Sequence, residues 1–283
     1  MNFYKYICNQ IKKSGLAFNI CYLSTNITPK DRKERIRKIK IAIKNKERII
    51  IVSTQLIEAG VDIDCDCVFR DWGPLDSIIQ VAGRCNRNKN VEQSEVHLLN
   101  LIKENGNPYT SIYDPDLIRI VEAVLNGRSQ VEEIEFLSLI NDYFTMAKEK
   151  SRVETKLINS IFELYYDDNY ANMQNKKRMP ISSFQLIADE SYKKQDVFVE
   201  LDEKAKFIWK DYRNIVEGNY SSIEKKLRFL RIKKQFYEYV VSIDEKKTSD
   251  LIDHMIGEII YIPSNERDTF YNSDTGFKNE GII

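Results

Sequence analysis

Two arginines, Arg84 and Arg87, follow Gln80 at spacings of four and seven in the segment QVAGRCNR, with Gly83 directly before the first of them. A guanidinium gives planar, charge-assisted hydrogen bonds to phosphate oxygens, and two of them one helical turn apart beside a carboxamide suit the transferring phosphoryl of a nucleotide. The competing reading is a surface helix with paired arginines. Upstream, the segment STQLIEAGVDID carries Thr54, Gln55, Glu58, Gly60 and Asp62. It follows a short apolar run, and in open α/β sheets the ligand crevice lies beyond the carboxyl ends of the strands, so Thr54, Gln55 and the turn after them stand where ligands bind. The structural alternatives are that Thr54 ends a strand, Gly60 is a turn glycine with positive φ and Asp62 caps a turn.

These residues need elements to hold them. Residues 48–53 form a continuous run of β-branched character, which reads as a strand buried on both faces. A helix opening near Pro74 and Asp76, with its acid in the first turn, would carry Gln80, Arg84 and Arg87 on one face. Before them, residues 3–13 place Phe3, Ile7 and Ile11 at helical spacing beside Tyr4 and Cys8, and Ser14-Gly15 ends that helix. Residues 16–23 read as a strand. Thr28, Pro29 and Asp31 then start a basic helix whose core face is Ile36, Ile39 and Ile43. After the arginine-bearing helix, residues 95–101 read as a strand containing a structural His97. Asp114-Pro115 opens a helix with the apolar stripe Leu117, Ile120, Val121, Val124 and Leu125, closed by Gly127. Alternating strands and helices up to this point indicate a parallel sheet of the RecA type, ending near residues 126–130.

Beyond that boundary the pattern changes. Residues 131–148 carry Ile134, Leu137, Ile140 and Phe144 at helical spacing, and residues 152–165 carry Val153, Leu157, Ile161 and Leu164, so the two read as an antiparallel helical pair. A polar loop over 167–179 follows. Short strands are expected at 184–188, 196–201, 237–243 and 258–262, a capped helix with Trp209 and Tyr212 at 202–216, and a basic helix at 222–235. The second part is thus mainly helical with a few short strands.

Composition sets the outer limits. The 283 residues exceed one small domain, and 43 basic against 43 acidic residues leave no global field, so a nucleic-acid partner must be argued from local patches. Five cysteines without a CxxC pair suggest a reducing compartment. Cys65 and Cys67 alternate within a strand and share a face, where burial is expected in place of metal ligation, because His97 and His254 are remote in sequence. With no signal peptide and no apolar run long enough to span a bilayer, the expected location is cytoplasmic, without a membrane partner.

STQLIEAGVDID followed by QVAGRCNR resembles motifs V and VI of superfamily 2 helicases, closest in wording to the CRISPR-associated helicase-nuclease of type I interference systems. The helix, strand, basic helix and strand before STQLIEAGVDID resemble that family's second motor lobe, and VFVELD and FYNSDTGF resemble its C-terminal accessory domain. The resemblance implies an α/β RecA-like C-terminal helicase lobe over 1–128, incomplete at its N-terminus because Met1 cuts into the lobe, and an accessory domain over 129–283. It implies that Gln80, Arg84 and Arg87 face the γ-phosphate of ATP and Gly83 belongs to that nucleotide site. Asp62 would lie near the ribose, Gly60 would allow close backbone approach, and Thr54 with Gln55 would touch single-stranded DNA.

No GxxxxGK[ST] loop, no acidic strand end for Mg²⁺ and no histidine-rich nuclease site occurs in the sequence. ATP and Mg²⁺ would therefore be held mainly by a first lobe on another polypeptide, and the chain alone would be inactive. Partners implied are single-stranded DNA, that first lobe and the type I effector complex. Two other readings stand beside this one: a non-catalytic module that binds DNA or the effector complex, and a motor lobe of another superfamily 2 ATPase.

Overall fold

The computed structural model describes residues 2–58, 61–85, 94–102, 106, 113–150, 155–166, 181–183 and 193–278. In chain order the elements begin with α1 (Asn2–Ser14), β1 (Asn19–Leu23), α2 (Pro29–Lys44) and β2 (Ile49–Ser53). They continue with β3 (Cys67–Asp71), α3 (Leu75–Ala82), β4 (Glu95–Leu99), α4 (Pro115–Leu125), α5 (Phe136–Lys150) and α6 (Thr155–Phe162). The remainder is β5 (Lys194–Val199), α7 (Glu203–Glu217), α8 (Ser222–Phe236), β6 (Val240–Asp244), β7 (Met255–Ile256), β8 (Ile259–Ile262), α9 (Arg267–Phe270), β9 (Tyr271–Asn272) and β10 (Gly276–Phe277). The chain is α/β, with parallel strand pairs and covering helices. Two compact units divide it: Met1–Ile63 packs with Ser191–Ile283, and Asp64–Glu190 forms the other. Compactness therefore divides the chain elsewhere than at residue 128, because the C-terminal segment folds back onto the first sixty residues; the functional division into 1–128 and 129–283 stays a proposal.

In the first unit β1 and β2 pair in parallel, Asn19 opposite Ile49 through Leu23 opposite Ser53. Thr28 caps α2 by accepting from the Asp31 N–H, and Pro29 occupies the first turn, as the sequence dictates. Ile39 and Ala42 are buried on α2, and Ile36 and Ile43 are half-buried. β2 is half-buried along its whole length, less enclosed than its apolar run implies.

The C-terminal part of this unit is a four-stranded sheet in the order β6-β5-β8-β7, parallel between β5 and β8 and antiparallel elsewhere. One face packs on Leu251, Tyr271 and Phe277. The other is covered by α7 and α8 through Phe198, Trp209, Tyr212, Phe236 and Tyr239, with Trp209 stacked on Tyr261 at 4.3 Å. Strands expected near 196–201, 237–243 and 258–262 are β5, β6 and β8; the expected strand at 184–188 lies outside the described residues.

This sheet is tied to the β1–α2 loop. The buried Tyr271 hydroxyl donates to Asp31 Oδ2 at 2.7 Å and accepts from the Thr28 N–H at 3.2 Å. Phe277 N–H donates to the Asn26 carbonyl at 2.8 Å, and Gly276, at φ +82°, lies so close that a Cβ there would sit 2.3 Å from that carbonyl oxygen. Lys30 pairs with Asp202, the N-cap of α7, and donates to the Tyr239 hydroxyl.

In the second unit β3 and β4 pair in parallel and α3, α4 and α5 enclose one core of Leu75, Ile78, Ile120, Val121, Leu139 and Tyr143. Asp114 caps α4 and left-handed Asn126 ends it. α5 packs on α4 and α3. Of the expected stripe, Ile140 packs against this core beside the buried Leu139 and Tyr143, whereas Leu137 and Phe144 of α5, and Ile134 before it, are exposed. The buried stripe is shifted by one position, about 100° around the helix, from Ile140 and Phe144 to Leu139 and Tyr143. Ile161 and Leu164, expected in a core, are also exposed.

Burial, and after it the Asp31 carboxylate, raises the Tyr271 hydroxyl above its ordinary value of 10.0 against the Thr28 donor. The fold thus favours the neutral phenol, whose stabilisation is complete below pH 10 and is lost as pH climbs through the folded value, by up to about 1.4 kcal/mol per pH unit. Tyr271→Phe is expected to cost about 2 kcal/mol at neutral pH and to flatten the alkaline loss, both read by urea unfolding across pH. Gly276→Ala is expected to cost about 2 kcal/mol or more through left-handed strain and overlap with Asn26. Gly83→Ala, at φ −64° with only ordinary contacts, is the near-neutral control.

Candidate functional site

The candidate residues fall on two short stretches, one in each compact unit. In the first, Thr54 follows β2 and its N–H donates to the Leu23 carbonyl at 3.2 Å, continuing the β1–β2 ladder by one residue. Its side chain is exposed and caps nothing in the 3₁₀ turn Gln55–Ile57. The threonine hydroxyl therefore stands open at the carboxyl edge of a parallel strand pair, where α/β proteins bind ligands. Gln55 is exposed in that turn and Glu58 half-buried at its end. Val61 and Ile63 are buried and Asp62 between them is exposed, so the alternation turns the carboxylate to solvent. Gly60 lies outside the described residues.

In the second unit α3 is held at its start by β3. Arg70 donates to the Ser77 carbonyl at 2.7 Å and to the Ser77 Oγ at 2.6 Å, a two-pronged bond from strand to first helical turn. Gly73 makes the close turn between them possible, since a Cβ there would come within 3.1 Å of the Tyr113 ring and 3.3 Å of the Arg70 guanidinium. Tyr143 of α5 is buried against Asp76, and burial together with that carboxylate pushes its hydroxyl up to about 12. Sequence reasoning missed this brace. Its signal was an arginine inside a strand seven residues ahead of a serine in a helix start.

Leu75, Ile78, Val81 and Ala82 of α3 are buried, and Gln80 is exposed on the opposite face. The helix stops at Ala82, with Gly83 as its C-cap. Arg84 N–H and Cys85 N–H then bond to the carbonyls of Val81 and Ala82, both at 2.9 Å, in tightened turns three residues apart. The Arg84 carbonyl accepts from the Cys65 N–H at 2.9 Å, and Cys85 bridges Cys65 in parallel. The expectation that Gln80 and Arg84 share a helix face is therefore corrected: Arg84 sits in the turn after α3, half-buried, its backbone committed to the strand-like segment at Cys65. Arg87 lies outside the described residues.

The cysteines do not form the shared buried face expected of them. Cys67 opens β3 and is exposed, whereas Cys65 is half-buried in the bridge. Burial, and less strongly Cys85 and Asp64, pushes the Cys65 thiol up to about 11, which leaves little thiolate near neutral pH. Among the described residues no group of three or more His, Cys, Asp or Glu side chains could hold a metal ion. His97 stacks on Phe69 across the β3–β4 pair at 4.7 Å. Among the described residues no helix is long and apolar enough to cross a membrane.

Residues 1–90 match the family model described as CRISPR-associated nuclease/helicase Cas3, C-terminal. The chain is 24% identical over 257 residues to the CRISPR-associated nuclease/helicase Cas3 of Methanothermobacter thermautotrophicus, covering 85% of this chain and 30% of that protein. It is 30% identical over 167 residues to the protein of the same description from Haloferax volcanii, covering 51% and 18%. The chain matches the C-terminal part of a Cas3 helicase-nuclease. It spans less than a third of either curated relative. The fold is similar to that of T. fusca Cas3, with a TM-score of 0.58 at 15% identity over 93% of this chain and 34% of that one. A similar match is to T. fusca Cas3-ATP, at a TM-score of 0.56 with the same identity and coverage. The Cas3-like stretch 1–90 contains every candidate site residue, from Thr54 to Arg87.

Arg70→Met is expected to release the start of α3, costing about 2 kcal/mol of stability in the unit that carries it. Ser77→Ala, which keeps the carbonyl acceptor, should cost about 1 kcal/mol. Urea midpoints measured beside amide exchange in α3 test the order; equal midpoints for wild type and both variants would show that Arg70–Ser77 does not hold the helix start.

Proposed function

We propose that this chain provides the second RecA-like motor lobe and the accessory region of an ATP-dependent single-stranded DNA translocase of type I CRISPR interference. The observation that carries the reading is the open Thr54 hydroxyl at the carboxyl edge of β1–β2, on the same Cas3-like stretch as the Gln80–Arg84 turn. In this reading Thr54 and Gln55 donate to phosphates of the DNA strand. Asp62 approaches the nucleotide ribose, and the backbone passes close to the ligand at Gly60 and Gly83.

Arg84 and Arg87 act on the γ-phosphate with Gln80 beside them. The turn that carries Arg84 is fixed by its backbone bond to Cys65, so the guanidinium is anchored near its root instead of riding on a fraying helix end. Such preorganisation is what charge developing in a transition state requires. The nucleotide, when bound, supplies the phosphoryl whose transfer drives movement. In this reading the chain offers arginine and carboxamide side chains to it, and Mg²⁺ is held by the first lobe. A first motor lobe on another polypeptide completes the site, and the chain by itself is inactive. Support for a nucleotide and for an effector partner comes from relatives: one T. fusca Cas3 structure is described with ATP, and a structure described as a CRISPR RNA-guided surveillance complex, pre-nicking, matches at a TM-score of 0.50, 16% identity and 92% of this chain.

With the first lobe supplied in trans or by fusion, Arg84→Ala or Arg87→Ala is expected to lower DNA-stimulated ATP turnover by roughly three to five orders of magnitude, with much less effect on nucleotide affinity. Arg→Lys should not rescue, because a point charge lacks the planar fork. Thr54→Ala should weaken DNA binding and leave basal hydrolysis near wild type. Wild-type turnover in both arginine variants, with the fold intact by circular dichroism, would refute the motor reading. The isolated chain should show negligible turnover.

A further inference from the structure

β6 is the edge strand of the four-stranded sheet, and its outward backbone groups can be assigned from the ladder. Glu245 N–H donates to the Lys193 carbonyl at 2.9 Å, one residue beyond the opposed Asp244 and Lys194, so Lys193 and Glu245 form a hydrogen-bonded pair. Bonded and non-bonded pairs alternate in an antiparallel ladder, which makes Gln195 opposite Ile243 and Val197 opposite Val241 the next bonded pairs. Glu200 N–H bonding to the Ile262 carbonyl agrees, since it turns the even-numbered residues of β5 toward β8. The backbone groups of Ser242 and Asp244 therefore point away from β5, and neither N–H has a partner among the described residues.

Proteins usually blunt such an edge with proline, a bulge or a covering element. Here β6 contains no proline, and its outer side lines a cleft of about 700 Å³, in the size range of ligand sites. Across the cleft stand Thr25, Pro29 and Arg32 of the β1–α2 region. Arg32 is half-buried and its guanidinium has no ion pair or hydrogen bond among the described residues; burial lowers that guanidinium from its ordinary value. Lys247 at one end of the cleft is exposed, with no side-chain ion pair or hydrogen bond among the described residues. The one lining carboxylate, Asp244, already accepts from the Lys246 N–H at 3.0 Å. Outward donors and acceptors alternating along a strand are matched by another extended chain; a phosphodiester accepts hydrogen bonds but donates none, so it would leave the Ser242 carbonyl unsatisfied.

We propose that the outer edge of β6 docks an extended acidic segment of a partner protein, which adds a fifth strand to the sheet and sets a carboxylate against Arg32 and Lys247. Main-chain bonds to Ser242 and Asp244 give affinity, and the two cations select for acidic side chains. The site does not depend on the motor reading.

The test uses the full chain and three probes: a blocked extended peptide of alternating valine and glutamate, its valine-lysine counterpart, and an oligothymidylate. Site-resolved amide exchange should show Ser242 and Asp244 exchanging faster than Val241 and Ile243 in the free chain, and slowing about tenfold or more with the glutamate peptide only. Arg32→Gln should weaken that peptide about tenfold and leave the exchange pattern of the free chain unchanged. Ser242→Pro, which removes one outward donor and spares the ladder bonds of its neighbours, should abolish binding. Equal protection by both peptides, protection by none, or protection by the oligothymidylate that the glutamate peptide cannot displace would each overturn the proposal, the last in favour of a nucleic-acid cleft.

Discussion

The first unit depends on one buried hydroxyl. Tyr271, 240 residues from Asp31 in sequence, joins the capping turn of α2 to the sheet built from the end of the chain. Its bonds serve donors and acceptors that a helix N-terminus would otherwise present to water, and Gly276 lets the β9–β10 hairpin approach Asn26 to backbone distance. The loop after β1 is therefore held from both sides, by its own helix cap and by the C-terminal segment. That arrangement also sets the wall of the cleft facing β6, because Thr25, Pro29 and Arg32 belong to the same held turn.

A comparable economy governs the second unit, where strand side chains place the helix that carries Gln80. Arg70 reaches from β3 to Ser77, and the Tyr143 hydroxyl lies against Asp76 one residue earlier. The far end of α3 is fixed by the Gly83 cap, the Arg84–Cys65 backbone bond and the Cys85 thiol on the Asp66 and Glu95 carbonyls. Side chains that meet a ligand need rigid support, and here the support is strand-to-helix bonding and not the helix's own propensity. The match to the Cas3 C-terminal family model covers Arg70, Ser77, Gln80 and Arg84.

Surface apolar residues show where packing departs from pattern. α5 has two apolar stripes, and the one that closes the α3–α4 core leaves Leu137 and Phe144 in solvent. α8 behaves alike: Phe229, Ile232 and Phe236 face the sheet, and Ile223, Leu227 and Leu230 lie exposed among its lysines and arginines. Periodicity detects a helix in either case. It does not select between two competing faces, because both satisfy the same spacing and only the shape of the neighbouring groove distinguishes them.

Local chemistry made several features legible from residues alone. Thr28-Pro29 and Asp114-Pro115 start helices because a side-chain acceptor and a fixed φ satisfy the first turn without help from elsewhere. The strand ending at Ser53, the exposed Thr54 beyond it and the strands near 194–199, 240–244 and 259–262 follow from β-branched runs bounded by polar residues. What required the tertiary structure was long-range or cooperative: the return of the last ninety residues onto the first sixty, the Arg70–Ser77 brace, and the end of α3 at Ala82. The spacing of Gln80 and Arg84 would suit one helix face, yet the bond from Cys65 captures the Arg84 carbonyl and ends the helix first. A sequence records which groups can bond locally; which distant partner reaches them first is decided by the packing of the whole unit.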